Sequence, residues 1–156
     1  MPNWCECDLY VEGKNEDVAG FLEFVGEGVD FNRFIPYPER FATLDEETRR
    51  WDEANGLDAR NWRERPKDGF NQGGYEWCVE NWGTKWNACD VETPGPTPDG
   101  DDSDSREVVI HFQTAWSPPL PVILAASERF PGLVFVLKYF ERGQEFNGRF
   151  CCEAGQ

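Results

Sequence analysis

Between Val108 and Tyr139 the spacing of apolar residues changes twice, and this change limits the chain to a small set of folds. Val108, Ile110 and Phe112 alternate as on a strand with one buried face. Leu120, Ile123 and Leu124 recur at helical intervals, and Leu133, Phe135, Leu137 and Tyr139 alternate again. The pattern predicts a strand over 107–115, a helix, and a strand over 133–140. Ser117 is placed to cap the helix with Pro118 at its first position, and Pro131-Gly132 ends it. A turn at Gly143 leads to a last strand near 148–154.

The N-terminal part has the same grammar. Residues 3–12 alternate around Trp4, Leu9 and Val11 and stop at Gly13, which predicts a strand. Asn15 is a candidate cap, Glu16 and Asp17 suit a positive helix start, and Val18, Phe21, Leu22 and Val25 form one helical stripe before Gly26. Phe31 to Pro38 is at best a short edge strand, because Pro36 and Pro38 cannot donate to a ladder. Residues 39–67 are polar with scattered aromatics and suit one or two exposed helices. Asn71 to Gly74 is a turn, and residues 75–91, rich in Trp and Val, predict a strand or strand pair broken at Gly83. Residues 92–106 hold prolines, glycines and acids and predict a surface loop.

This order describes one α+β domain over 1–156: a ferredoxin-like split βαβ sheet with two helices on one face, an insertion at about 39–74 and an acidic loop at about 92–106. A mixed α+β sandwich with other strand pairing uses the same elements. At 156 residues, with seven Trp and twelve Phe, the chain can build an aromatic core without staples. No apolar run approaches the roughly 20 residues that cross a bilayer, and the N-terminus lacks the blocks of a signal peptide. The expectation is a cytoplasmic protein whose thiols are free or metal-bound and not bridged.

Thirty acids against fifteen bases give a net charge of −15, which disfavours direct nucleic-acid binding. The imbalance is uneven: residues 1–38 carry eight acids and two bases, 39–68 nine and seven, and 69–156 thirteen and six.

Several blocks resemble a known family. The opening MPNWC with Leu9, Val11 and Gly13, the string NWGTKW at Asn81 to Trp86, FQTAWSPP at Phe112 to Pro119, and Tyr139, Glu141, Gly143, Phe146 and Gly148 are together similar to the YubB ferredoxin-like family. The chain departs from that family at Cys7, where Asn is usual, at Asn87, where Asp is usual, and in the acidic loop. The resemblance implies a ferredoxin-like accessory protein of a plasmid, phage or integrative element, and it carries no established activity.

The same blocks gather Trp4 with Asn81, Trp82, Thr84, Lys85, Trp86, Thr114, Trp116, Tyr139 and Glu141, aromatics with one cation and one carboxylate, as for a protein-binding patch or ligand pocket. A plain core role for the tryptophans competes with this reading. Cys5, Cys7, Cys78, Cys89, Cys151, Cys152 and His111 lack zinc-module spacing, so inert thiols are favoured and no metal is expected. There is no P-loop, dinucleotide fingerprint or HExxH, so no cofactor is expected. Asp99, Asp101, Asp102, Asp104 and Glu107 form an acidic surface suited to a host protein with a basic face, as in an inhibitor that imitates DNA phosphates. Solubility alone also accounts for such charge. The leading expectation is a non-enzymatic, acidic protein-binding module acting on a host defence or nucleic-acid-processing protein. The rivals are a small enzyme or ligand-binding domain built on Asn81 to Trp86 with Thr114 and Glu141, and a purely structural or oligomer-forming domain.

Overall fold

The computed structural model describes residues 2–56, 60–94 and 104–156. Among these, the chain forms β1 (Trp4–Lys14), α1 (Asn15–Val25), α2 (Glu39–Asn55), α3 (Gly74–Trp82), β2 (Cys89–Glu92), β3 (Ser105–Ala115), α4 (Leu120–Arg129), β4 (Val134–Glu141) and β5 (Phe146–Glu153). The strands make one antiparallel sheet in the order β2-β3-β1-β4-β5. β1, α1 and β2 form a split βαβ unit with β3 inserted between the two strands, α4 leads back to β4 beside β1, and β5 extends the edge.

Period-two burial decides which face is covered. Cys5, Cys7, Leu9 and Val11 of β1 are buried, as are Val108, Ile110 and Phe112 of β3 and Phe135 and Leu137 of β4. The apolar stripes of α1 (Val18, Phe21, Val25) and α4 (Val122, Ile123, Ala126) lie in the same core. α1 packs on β1 and β3, and α4 on β4 and β5.

Four expectations need correction. Residues 75–91 are not mainly strand: Gly74, Cys78 and Trp82 are buried at four-residue spacing on α3, and only Cys89–Glu92 is extended. Phe31 to Pro38 holds a short 3-10 helix, Phe31–Arg33, whose start is capped by the Asp30 side chain accepting from the Asn32 N–H. Asn15 is the first residue of α1, and Lys14 holds the cap position; the Asn15 N–H donates to the Asp104 carbonyl at 3.2 Å. Ser117 does not cap α4, which starts at Leu120, because its hydroxyl donates to the Gly83 carbonyl at 2.6 Å.

The insertion is joined to the sheet core through Phe31, whose ring centroid lies 5.7 Å from Trp82 and 6.4 Å from Phe112. Asn87 holds this joint. Its side-chain Oδ1 accepts the Phe31 N–H at 2.9 Å, and its side-chain Nδ2 donates to Asp30 at 2.8 Å. Burial opposes ionisation of Asp30, but the hydrogen bonds from Asn87 and Asn32 outweigh it and hold the carboxyl below its ordinary range. Asp30 therefore contributes stability above the ordinary Asp range, and this is lost as pH falls through its depressed value. Asn87→Asp removes the donor and sets two carboxylates side by side. We expect it to cost about 1–3 kcal/mol near neutral pH, with part of the loss regained in mild acid as one carboxyl takes a proton. Urea titrations of both proteins at the two pH values check this.

Candidate protein-binding surface

α3 ends at Gly83, whose φ of 78° is left-handed and whose Cα faces Pro121, so that an added Cβ would sit 2.9 Å from Pro121 Cδ. The chain turns there and is fastened to the β3–α4 connection. Thr84 is buried and its hydroxyl donates to the Ala115 carbonyl at 2.9 Å, while Ser117 reaches back to Gly83. This fixes the next two side chains. Lys85 Nζ lies 4.1 Å from the Trp86 ring centroid and 4.4 Å from that of Trp116. Trp86 also leans on Trp4, with centroids 6.3 Å apart.

Trp86 and Trp116 are 38% and 49% exposed, an unusual state for so large a ring. Trp116 also has φ of 73°, held by its N–H donating to the Asn3 carbonyl at 2.9 Å. A bulky residue in that region carries strain of about 1–3 kcal/mol. The two cation–π contacts return about 0.5–1 kcal/mol each at an exposed site. Beside Trp4 a shallow groove of about 370 Å³ runs past Asn3, Glu6, Gln113 and Arg142.

The structure divides the residues expected at the site. Trp82 is buried, with its indole N–H donating to the Ile35 carbonyl at 2.8 Å. Asn81 donates to the Trp77 carbonyl at 2.9 Å. Thr114 is buried and donates to the Ser117 carbonyl at 2.8 Å. Tyr139 is half-buried, edge-on to Phe146. Glu141 is buried and accepts the backbone N–H groups of Gly143 and Gln144, which closes the β4–β5 turn. Lys85, Trp86 and Trp116 come together at the surface, joined by Trp4.

Lys85 and Glu141 line different hollows. Glu141 borders the groove beside Trp4, and Lys85 borders a cleft of about 160 Å³ among Tyr37, Asp45, Trp82 and Trp86. That cleft is smaller than the ~300–1,000 Å³ of ordinary small-molecule pockets. Within it Tyr37 donates to Asp45 at 3.0 Å, and burial followed by that bond raises the phenol's pKa well above its usual value. Sequence reasoning did not connect Arg142 or Asp45 with these blocks, since nothing local marks their approach. Asp104 and Glu107 are exposed, with Glu107 directly across from Glu12. Asp99, Asp101 and Asp102 lie outside the described residues.

The cysteines are free, and among the described residues no three His, Cys, Asp or Glu side chains converge as metal ligands. His111 is on the opposite sheet face from the buried thiols, its Nδ1 2.6 Å from Asp8. Burial pushes the Cys78 thiol up to about 11, and it raises Cys152 as well. Adjacent on β5, Cys151 points outward and is exposed. Alkylation at about pH 8, where only thiolates react, is expected to label Cys151 first and leave Cys5, Cys7, Cys78 and Cys152 intact until denaturant is added. Peptide mass spectrometry reads this out, and Cys78 reacting as fast as Cys151 would contradict the packing.

Residues 81–156 match the family model described as a ferredoxin-like domain in Api92-like protein. The domain is ferredoxin-like. The matched stretch holds β2, β3, α4, β4 and β5 but not β1, the central strand of the ferredoxin-like sheet. A crystal structure of a protein api92 from Yersinia pseudotuberculosis superposes with a TM-score of 0.60 at 12% identity, covering 99% of this chain and 95% of that one. At that identity the likeness is one of fold. None of the curated proteins matches the sequence. No described helix is long and apolar enough to cross a membrane.

Proposed function

We propose that this chain is a non-enzymatic protein-binding module of YubB type, an accessory protein of a mobile element that acts in the cytoplasm on a host protein with a basic surface. The observation that carries this reading is Trp116, a half-exposed ring on strained backbone beside the less open but still exposed Trp86. Large aromatics with few rotatable bonds are the usual energetic centres of protein interfaces. The net charge of −15 gives the long-range part. Asp104 and Glu107, with Asp99, Asp101 and Asp102, favour a partner that itself binds nucleic acid, such as a defence or nucleic-acid-processing factor.

The tagged protein, used as bait in host extract, is expected to retain a basic protein whose recovery falls steeply as salt rises and falls again when Asp99, Asp101, Asp102 and Asp104 are changed to Asn. Retention indifferent to both would remove the charge-steered reading.

A further inference from the structure

The sheet has a second face. While odd positions of β1 enter the core, Glu6, Asp8, Tyr10 and Glu12 emerge on the other side, away from α1 and α4. Strand register arranges this face in rows. One row runs Val109, Tyr10, Val136, Cys151; the next runs His111, Asp8, Lys138, Arg149; a third runs Gln113, Glu6, Phe140, Asn147. The first is largely apolar, and Phe140 in the third is 39% exposed.

Charge divides the same face lengthwise. β1 and β3 present Glu6, Asp8, Glu12 and Glu107, and Asp90 and Glu92 of β2 border the same hollow as Asp8 and His111. β4 and β5 present Lys138 and Arg149, with Glu153 at the far end. Lys138 Nζ sits 4.4 Å from the Tyr10 ring centroid, so it does project from this face.

We propose that a second copy of the chain covers this face, the two sheets stacked about a twofold axis parallel to the strands and running between β1 and β4. That rotation exchanges β1 with β4 and β3 with β5 and keeps each row at its own height. Asp8 of one copy then meets Lys138 of the other, Arg149 meets the Asp8–His111 pair, Gln113 meets Asn147, and Tyr10 meets Val136. A twofold axis across the strands would instead lay acid on acid. The mismatches left are Glu6 against Phe140, Glu12 against Val134 and, at one rim, Glu107 against Glu153.

Four strands of about eight residues give a footprint of roughly 19 by 26 Å. That is small beside the ~800 Å² per partner of standard interfaces. Repulsion between two acidic copies is screened beyond ~8 Å at physiological salt. The dimer is therefore weak and reversible.

Sedimentation over a concentration series is the test, in physiological salt and up to about 1 mM, where even a −4.1 kcal/mol association is half complete. Wild type should pass from monomer to dimer. Asp8→Lys and Lys138→Asp should each weaken association at least about tenfold, since each sets like charges face to face. Asp8 and Lys138 are also neighbours within one sheet, so the doubly reversed chain would not separate the two contacts. An equimolar mixture of the single variants does, because in the mixed dimer each reversed charge meets its opposite; it should associate like wild type. A wild type monomeric throughout, or a mixture no better than its components, overturns the proposal. Should a variant misfold, amide shifts of the wild type on dilution decide instead. Movement at Tyr10, Val109 and Val136 supports the dimer, and movement confined to Trp86 and Trp116 overturns it.

Discussion

Trp82→Ala should lower the stability of the domain by about 3–5 kcal/mol, the cost usual for removing a large buried aromatic. The ring lies within 5.6–6.0 Å of Phe31, Tyr37 and Trp77, centroid to centroid. Its removal opens a cavity that these stiff neighbours cannot close. The lost indole N–H also leaves the half-buried Ile35 carbonyl without that donor, a further penalty. Trp82→Phe restores most of the volume but not the donor, so it should fall between wild type and alanine. In urea the midpoints should drop in that order. If Trp82→Ala unfolds within about 1 kcal/mol of wild type, a typical surface-like effect, the insertion is not seated on the sheet as described.

Trp116→Gly combined with Trp86→Ala is expected to behave in the opposite way, reducing partner affinity about 100-fold, or about 2.8 kcal/mol, while leaving the fold nearly as stable. Glycine relieves the left-handed strain at 116, an expected gain of about 1 kcal/mol. Loss of the contacts with Lys85 offsets that gain by a similar amount. Titration of the retained partner by calorimetry, with urea unfolding of the same samples, separates the two quantities. A variant that binds normally sinks the anchor role. One that loses several kcal/mol of stability shows that the rings are structural.

The elements read best from sequence were those whose apolar spacing is undisturbed: β1, α1, β3, α4 and β4. α3 was misread because Trp77, Val79 and Trp82 favour strand composition, although Gly74, Cys78 and Trp82 already spelled a helical stripe. Capping failed for a different reason. Ser117 is a residue type that caps helices, but its hydroxyl is engaged by a carbonyl 34 residues away.

At the candidate surface, the block Asn81 to Trp86 announced itself, yet not its division. Trp82 and Trp86 are four residues apart, and the left-handed Gly83 between them sends one ring inward and the other out. Likewise the carboxyl of Glu141 closes its own turn, a use that sequence spacing does not distinguish from binding.

The central place of β1 has a consequence during synthesis. Of the five described strands it leaves the ribosome first, and its neighbours are β3 and β4, which begin at Ser105 and Val134. At about 5–20 residues per second, β1 waits roughly 5–20 s for its first partner and longer for its second. Through that interval the alternating Cys5, Cys7, Leu9 and Val11 stand open to a chaperone or to a neighbouring nascent chain, and the acids at Glu6, Asp8 and Glu12 act as gatekeepers against premature pairing.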